Sequence, residues 1–272
     1  MPLASLTEIL REAQRGHYAV GYFESWNLES MQAVVEAAEE ERSPVVIGVN
    51  GDLLNLSDPD EIEYYAAIGK VAARKASVPV ALILNETDSF QLICRGIRYG
   101  FTCVMVDGAH LPFKDNIELT KKVVEFAHAV GVSVEAALGH SPRANEGFCD
   151  KKVPEDFMTK PDEAARFVEE TNIDALAISI GNVHVMYEGK ARIDFDRLKE
   201  IRRMVDVPLV VHGGTGFPDD YVRKAIQMGV CKFNVGTMLR LAFSTSMRKV
   251  IEEKAERGFP EDYLKLVKSI MK

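Results

Sequence analysis

The sequence predicts an α/β chain folded as a single (β/α)8 TIM barrel, with extra helices at its N- and C-terminal ends. Apolar runs rich in Val, Ile and Leu alternate with longer amphipathic runs along the whole chain, giving eight strand–helix units of roughly 25 to 35 residues. No break in composition divides the 272 residues, of which 47% are hydrophobic and 27% charged, so one domain over 1–272 is expected. The last two strand-like runs end in turns of glycine and threonine, the place where barrels of this kind keep a phosphate site. A doubly wound sheet would need fewer strands or a second domain.

Taken in order, a helix over Leu6 to Arg15 precedes a first strand, Tyr18–Phe23. Leu28 to Arg42 follows as an amphipathic helix whose Glu39-Glu40-Glu41 run reads as solvated surface. The same alternation gives strand Pro44–Val49 with helix Asp60–Ala76, strand Pro79–Leu84 with helix Phe90–Tyr99, and strand Thr102–Val106 with helix Asn116–Val130. Strand Ser133–Leu138 leads through a long segment to helix Asp162–Glu170, and strand Ala175–Ile180 to helix Asp196–Met204. Val207–Val211 is an apolar strand without polar alternation, as expected when both faces of a parallel sheet are covered, and its helix is Asp219–Met228. Lys232–Val235 closes the series, with a helix from Leu239. The connection His140–Lys160 exceeds the usual length and reads either as an active-site lid or as a plain surface excursion.

Active-site groups of such a barrel come from the C-terminal ends of its strands. Here those ends hold Glu24, Asn50, Asn85, Glu86, Asp107, His140, the run Gly181 to His184, the run His212 to Thr215, and Asn234 to Thr237. Gly213, Gly214 and Gly216 can take backbone angles closed to other residues and let N–H groups approach a phosphate. Gly236 and Thr237 repeat the pattern one unit later; the alternative is that both are ordinary tight turns. His184 and His212 end neighbouring strands, and with Glu86 they make a two-histidine, one-carboxylate set able to hold Zn²⁺ or another divalent ion with positions left open.

A net charge of −8 gives no general pull toward nucleic acid or an anionic membrane, so an anionic substrate needs local donors and a metal. Met1-Pro2-Leu3-Ala4 lacks the pattern of a secretory leader and no apolar run approaches the ~20 residues of a bilayer span, which points to the cytoplasm. Cys94, Cys103, Cys149 and Cys231 are scattered without CxxC spacing and read as small apolar residues.

Five stretches, Glu36–Pro44, Val104–Gly108, Gly131–Ala136, His212–Gly216 and Lys232–Val235, together resemble the class II, metal-dependent ketose-bisphosphate aldolases, a family that includes the fructose- and tagatose-bisphosphate enzymes of carbohydrate metabolism and glycolysis. The resemblance runs from about Leu6 to about Phe243. It implies a (β/α)8 barrel, a homodimer or homotetramer, in which Zn²⁺ helps bind dihydroxyacetone phosphate. His184 and His212 fall on two zinc-ligand positions. Gly181, Gly213, Gly214, Thr215, Asn234, Gly236 and Thr237 fall on or beside the phosphate site. Departures concentrate at the chemistry. Where the family has His-Leu-Asp-His-Gly the chain has Ile83-Leu84-Asn85-Glu86-Thr87, replacing the acid/base Asp and one zinc His. Ala137 replaces a Glu, Val185 a Gly, and Ala109 a Ser, while Asp107 keeps its place among the catalytic positions.

Two readings follow. One is a lyase that reversibly cleaves a phosphorylated ketose, with Glu86 as metal ligand and another group, such as one from the His140–Lys160 segment, moving the proton; alternatively Glu86 moves the proton and a residue such as His140 completes the metal site. The other is a sugar-phosphate isomerase, epimerase or binding protein, favoured by the loss of a carboxylate at Asn85.

Overall fold

The computed structural model describes residues 3–56, 58–148, 151–186, 189–254 and 260–272. Helix α1 (Leu6–Gly16) opens the chain, its first turn closed by a reciprocal pair in which the Ser5 hydroxyl accepts from the Glu8 N–H and Glu8 accepts from Ser5. Then come β1 (Val20–Glu24), α2 (Leu28–Glu40), β2 (Val45–Asn50), α3 (Gly51–Leu56), α4 (Ile62–Lys75), β3 (Val80–Thr87), α5 (Phe90–Tyr99), β4 (Cys103–Val106) and α6 (Phe113–His128). The second half holds β5 (Ser133–Leu138), α7 (Pro161–Thr171), β6 (Ala175–Ile178), α8 (Phe195–Met204), β7 (Leu209–Val211), α9 (Asp219–Gln227) and β8 (Val230–Val235), followed by α10 (Thr237–Lys254) and α11 (Pro260–Met271). The eight strands are parallel and close on themselves, β1 pairing with both β2 and β8. This is the (β/α)8 barrel expected, with the extra helices at both ends.

Two apolar clusters explain why it holds. The larger lies between strands and helices, where Val45, Ile47 and Val49 of β2 and Val80, Leu82 and Leu84 of β3 meet the inward faces of the surrounding helices. The smaller lies inside the barrel, where Val46, Ala81, Ile83, Cys103, Met105 and Val210 meet Leu6, Ile9, Leu10 and Ala13 of α1. Helix α1 therefore plugs the N-terminal mouth, tied there by the Ala4 N–H on the Val80 carbonyl at 2.9 Å and by Thr7 Oγ1 against Ser133 Oγ at 2.8 Å. Chemistry is left to the C-terminal mouth, as the strand-end rule requires.

The departures from expectation fall mostly at that mouth. Strand β3 runs three residues past Leu84, because β2 is long enough to pair Asn50 with Asn85; the polar sequence there hid the extension. A register shift between Leu84 and Thr87 accompanies it, and Glu86 takes a left-handed φ of 52°. The six-residue α3 was missed, since Asn50-Gly51-Asp52 reads as a turn and its length is below what periodicity can reveal. Strand β6 stops at Ile178 and α10 begins at Thr237, directly on the glycine turn. Of the cysteines, Cys103 and Cys231 are buried and Cys94 partly so; Cys149 lies outside the described residues. No described helix is long and apolar enough to cross a membrane.

Candidate active site

Five strands contribute to one chain of polar side chains that runs from inside the barrel to its C-terminal mouth. Lys232 of β8 and Glu135 of β5 are both fully buried and paired, Nζ to Oε2 at 2.8 Å. The other oxygen of Glu135 faces His212 Nε2 at 3.2 Å, and His212 Nδ1 faces Glu86 Oε1 at 2.9 Å. Asn50 Nδ2 donates to the second Glu86 oxygen at 2.5 Å. Lys232 also donates to Asn234 Oδ1 at 2.6 Å, which turns the Asn234 amide nitrogen toward His212 at 2.9 Å and Asn85 Oδ1 at 3.4 Å. Buried charges of this kind persist only when paired and hydrogen-bonded, and here each has both.

The electrostatics follow from the contacts. Burial alone would lower the His212 pKa, but its hydrogen bonds with Glu135 and Glu86 and their charges raise it to about 9. Burial pushes Glu86 up, and the bond to His212 with the His212 and His184 charges outweighs this and holds it at about 2. Burial dominates at His184, which drops to about 4 despite the nearby Glu86. Glu86 is thus an anion and His184 a neutral imidazole with a lone pair at neutral pH. Burial and the Glu86 charge raise the carboxyl of Asp107.

His184 is fixed by the segment after β5, which does not swing free at its start. The His184 N–H donates to the Pro142 carbonyl at 2.8 Å, and the Ala144 N–H donates to the His184 carbonyl at 2.8 Å. Ser179 Oγ donates to the His140 carbonyl at 2.8 Å, and Asn182 Nδ2 to Ser141 Oγ at 2.9 Å. The His140 ring instead packs edge-on against Phe157, centroids 4.8 Å apart. Next to His184, Val185 has a φ of 55°, a conformation costly for a β-branched residue and natural for the glycine that the resemblance noted in the sequence would put there. Together with Glu86, it places backbone strain on two adjoining sides of the site.

Two cavities open on this chain. The larger, about 390 Å³, is bordered by Tyr22, Glu24, Asn85 and the turn residues Gly213, Thr215, Asn234, Gly236 and Thr237. The smaller, about 120 Å³, is bordered by Asp107, His140 and His212. They share Asp52, Glu86, Arg143 and His184. Most of the residues singled out from sequence therefore converge. Gly181 and Gly214 do not border either cavity: a side chain on Gly181, φ 99°, would strike the Arg192 carbonyl, and Gly214 packs on the Asn234 carbonyl. At the turn itself Gly213 has φ 70° and abuts the Val183 carbonyl, so no other residue fits there without strain.

Sequence reasoning missed several members of the site. Arg240 lies one turn into α10 and grips Glu24 with two bonds of 2.6 and 3.2 Å. It also lies 5.1 Å from the Trp26 ring centre, and the Glu24 carboxylate sits against Gly236. The Tyr22 hydroxyl, on a side chain 2% exposed that borders the larger cavity, has no hydrogen-bond partner among the described residues. An orphaned buried hydroxyl beside a cavity points to a ligand. Its signal in the sequence was a polar tip inside an apolar strand.

The donor chemistry of Glu86, His184 and His212 fits a divalent cation: one anionic carboxylate, one neutral imidazole, and a second imidazole that turns Nδ1 toward the same carboxylate. The His184 and His212 ring centres are 5.6 Å apart. Among the described residues no three His, Cys, Asp or Glu side chains are yet gathered as closely as a bound metal holds them. A cation would replace the proton shared by Glu86 and His212.

Comparison with known proteins bears on the family and the fold. The family model described as fructose-bisphosphate aldolase class-II matches residues 4–272. The crystal structure of the YdjI aldolase from Escherichia coli K12 is similar over 99% of this chain and 93% of that one, with 32% identity and a TM-score of 0.83. The fructose-bisphosphate aldolase of Campylobacter jejuni, 21% identical over 99% of this chain and 92% of its own, shares the fold at a TM-score of 0.81. With a barrel closed at one mouth, a glycine-turn cradle at the other and the family model matching nearly end to end, the chain belongs to the class II fructose-bisphosphate aldolase family.

Proposed function

We propose that the protein is a metal-dependent aldehyde-lyase that reversibly cleaves a phosphorylated ketose to dihydroxyacetone phosphate or a similar ketone. The observation that carries this reading is the meeting of two cavities at Glu86 and His184, with the glycine-turn cradle bordering the larger. Backbone N–H groups of Gly213 and Gly236, with Thr215, Thr237 and Asn234, would hold the phosphate. Glu86, His184 and His212 would hold Zn²⁺ or another divalent ion, which supplies Lewis-acid stabilisation of negative charge growing on a ketone oxygen. Glu135, itself held by Lys232, accepts from His212 Nε2 and so aims Nδ1 at the metal position, the role that outer carboxylates play around ligating histidines. Asp107 borders the smaller cavity, where the remainder of the sugar would lie.

A second reading, a sugar-phosphate isomerase, epimerase or binder, is favoured by Asn85, which is 1% exposed and cannot exchange a proton. Metal content tests the shared premise. Purified protein is expected to carry about one divalent ion per chain, lost in both His212→Ala and His184→Ala; full occupancy in both variants would remove these residues from the site.

A further inference from the structure

Resting on the aldolase reading, we propose that Asp52, on the first turn of α3, is the group that takes the proton from the substrate hydroxyl in carbon–carbon cleavage. Four side chains stand where the two cavities join: Glu86, His184, Arg143 and Asp52. A substrate with its phosphate in the larger cavity and its remainder in the smaller must pass all four. Glu86 is engaged by His212 and Asn50, and His184 faces the same centre. Arg143 cannot give up a proton near neutral pH. Asp52 is left: its carboxylate makes no hydrogen bond or ion pair with the described residues, and it is exposed at the rim, where water can carry the proton away.

One side chain sets its place. Asn50 Oδ1 accepts the Asp52 N–H at 2.9 Å while Asn50 Nδ2 holds Glu86, so the acid on α3 is registered against the candidate metal ligand on β3. The charged groups facing it are Glu86 of β3, Asp88 just beyond it, Asp107 after β4, and Arg143 from the segment after β5. Partial burial first, then the three carboxylates, raise Asp52 to about 6 against a lowering by Arg143. A base poised there is deprotonated at neutral pH and still basic enough to work. The unpartnered Tyr22 hydroxyl independently marks the adjoining cavity as one that receives a polar ligand.

In the step itself, Asp52 removes the proton from the hydroxyl on the carbon that becomes the aldehyde. The bond between that carbon and its neighbour on the ketone side breaks, and its electron pair stays with the ketone fragment. That fragment then takes a proton from water while Asp52 releases its own to solvent, so atoms and charge balance.

The test uses full-length, metal-loaded protein, fructose 1,6- and tagatose 1,6-bisphosphate, and Asp52→Asn and Asp52→Glu. Cleavage is measured across pH, and exchange of the carbon-bound proton of dihydroxyacetone phosphate is measured in deuterated water, since exchange does not need the hydroxyl proton moved. Cleavage in the parent is expected to rise with pH through about 6. Asp52→Asn should lower it by about 10²–10⁴-fold and remove that limb, with metal content and exchange unchanged and partial rescue by Asp52→Glu. Cleavage within about threefold of the parent in Asp52→Asn would overturn the assignment. So would exchange and cleavage falling together, because Asp52 would then only shape the site. A parent that neither exchanges nor cleaves would sink the aldolase reading itself, and the inference with it.

Discussion

At the ends of β7 and β8 the larger cavity is lined chiefly by glycines and short side chains on tight turns, Gly213, Thr215, Gly236 and Thr237. From the ends of β2 and β3 runs a different arrangement, a chain of long side chains that crosses the barrel through β7, β5 and β8 and whose members hold one another: Asn50 on Glu86, Glu86 on His212, His212 on Glu135, Glu135 on Lys232. The first kind of site depends on local chain geometry and tolerates change elsewhere. The second spans residues from 36 to 126 positions apart, so exchanging one member obliges the others to adjust.

The largest expected effect is on the coupled side. Lys232→Met strips the fully buried Glu135 charge of its lysine partner and leaves it only the His212 contact, which should cost about 3–5 kcal/mol in urea unfolding, whereas Lys232→Met with Glu135→Leu should recover a large part of it. Equal stability of the single and double variants would mean that the network is not coupled. On the cradle side, Gly213→Ala puts a methyl group against the Val183 carbonyl at a left-handed φ, for a loss on the order of 2 kcal/mol. Titration with dihydroxyacetone phosphate should then weaken by about tenfold or more, with metal content retained. Smallest is Tyr22→Phe. Removing a hydroxyl that has no protein partner should change folding by no more than about 0.5 kcal/mol, while the substrate KM rises about threefold to tenfold with kcat little changed. An unaltered KM would say that no ligand reaches the hydroxyl.

The same contrast decides what the sequence made legible. The strand–helix alternation and the glycine turns are short-range patterns, and the eight strands and the placing of Gly213, Asn234 and Gly236 at the mouth came from them. Lys232 reads as an ordinary polar residue of a strand; its burial exists because Glu135, 97 residues earlier, lies across the barrel interior. Asp52 was hidden in what looked like a turn, and its relation to Glu86 passes through Asn50 and the pairing of β2 with β3. The segment after β5, from which a substitute proton carrier was also expected, is hydrogen-bonded at its start to His184 and brings Arg143 to the junction and His140 to the smaller cavity, an arrangement that rests on contacts about 40 residues apart.

The central claim, that metal held at Glu86, His184 and His212 serves cleavage of a ketose phosphate bound through the β7 and β8 turns, is tested most directly by following release of dihydroxyacetone phosphate from fructose 1,6- and tagatose 1,6-bisphosphate before chelation, after it, and after zinc is restored. Cleavage of at least one of the two sugars that disappears with the metal and returns with it is the predicted result, and cleavage that continues undiminished in metal-free protein would contradict it.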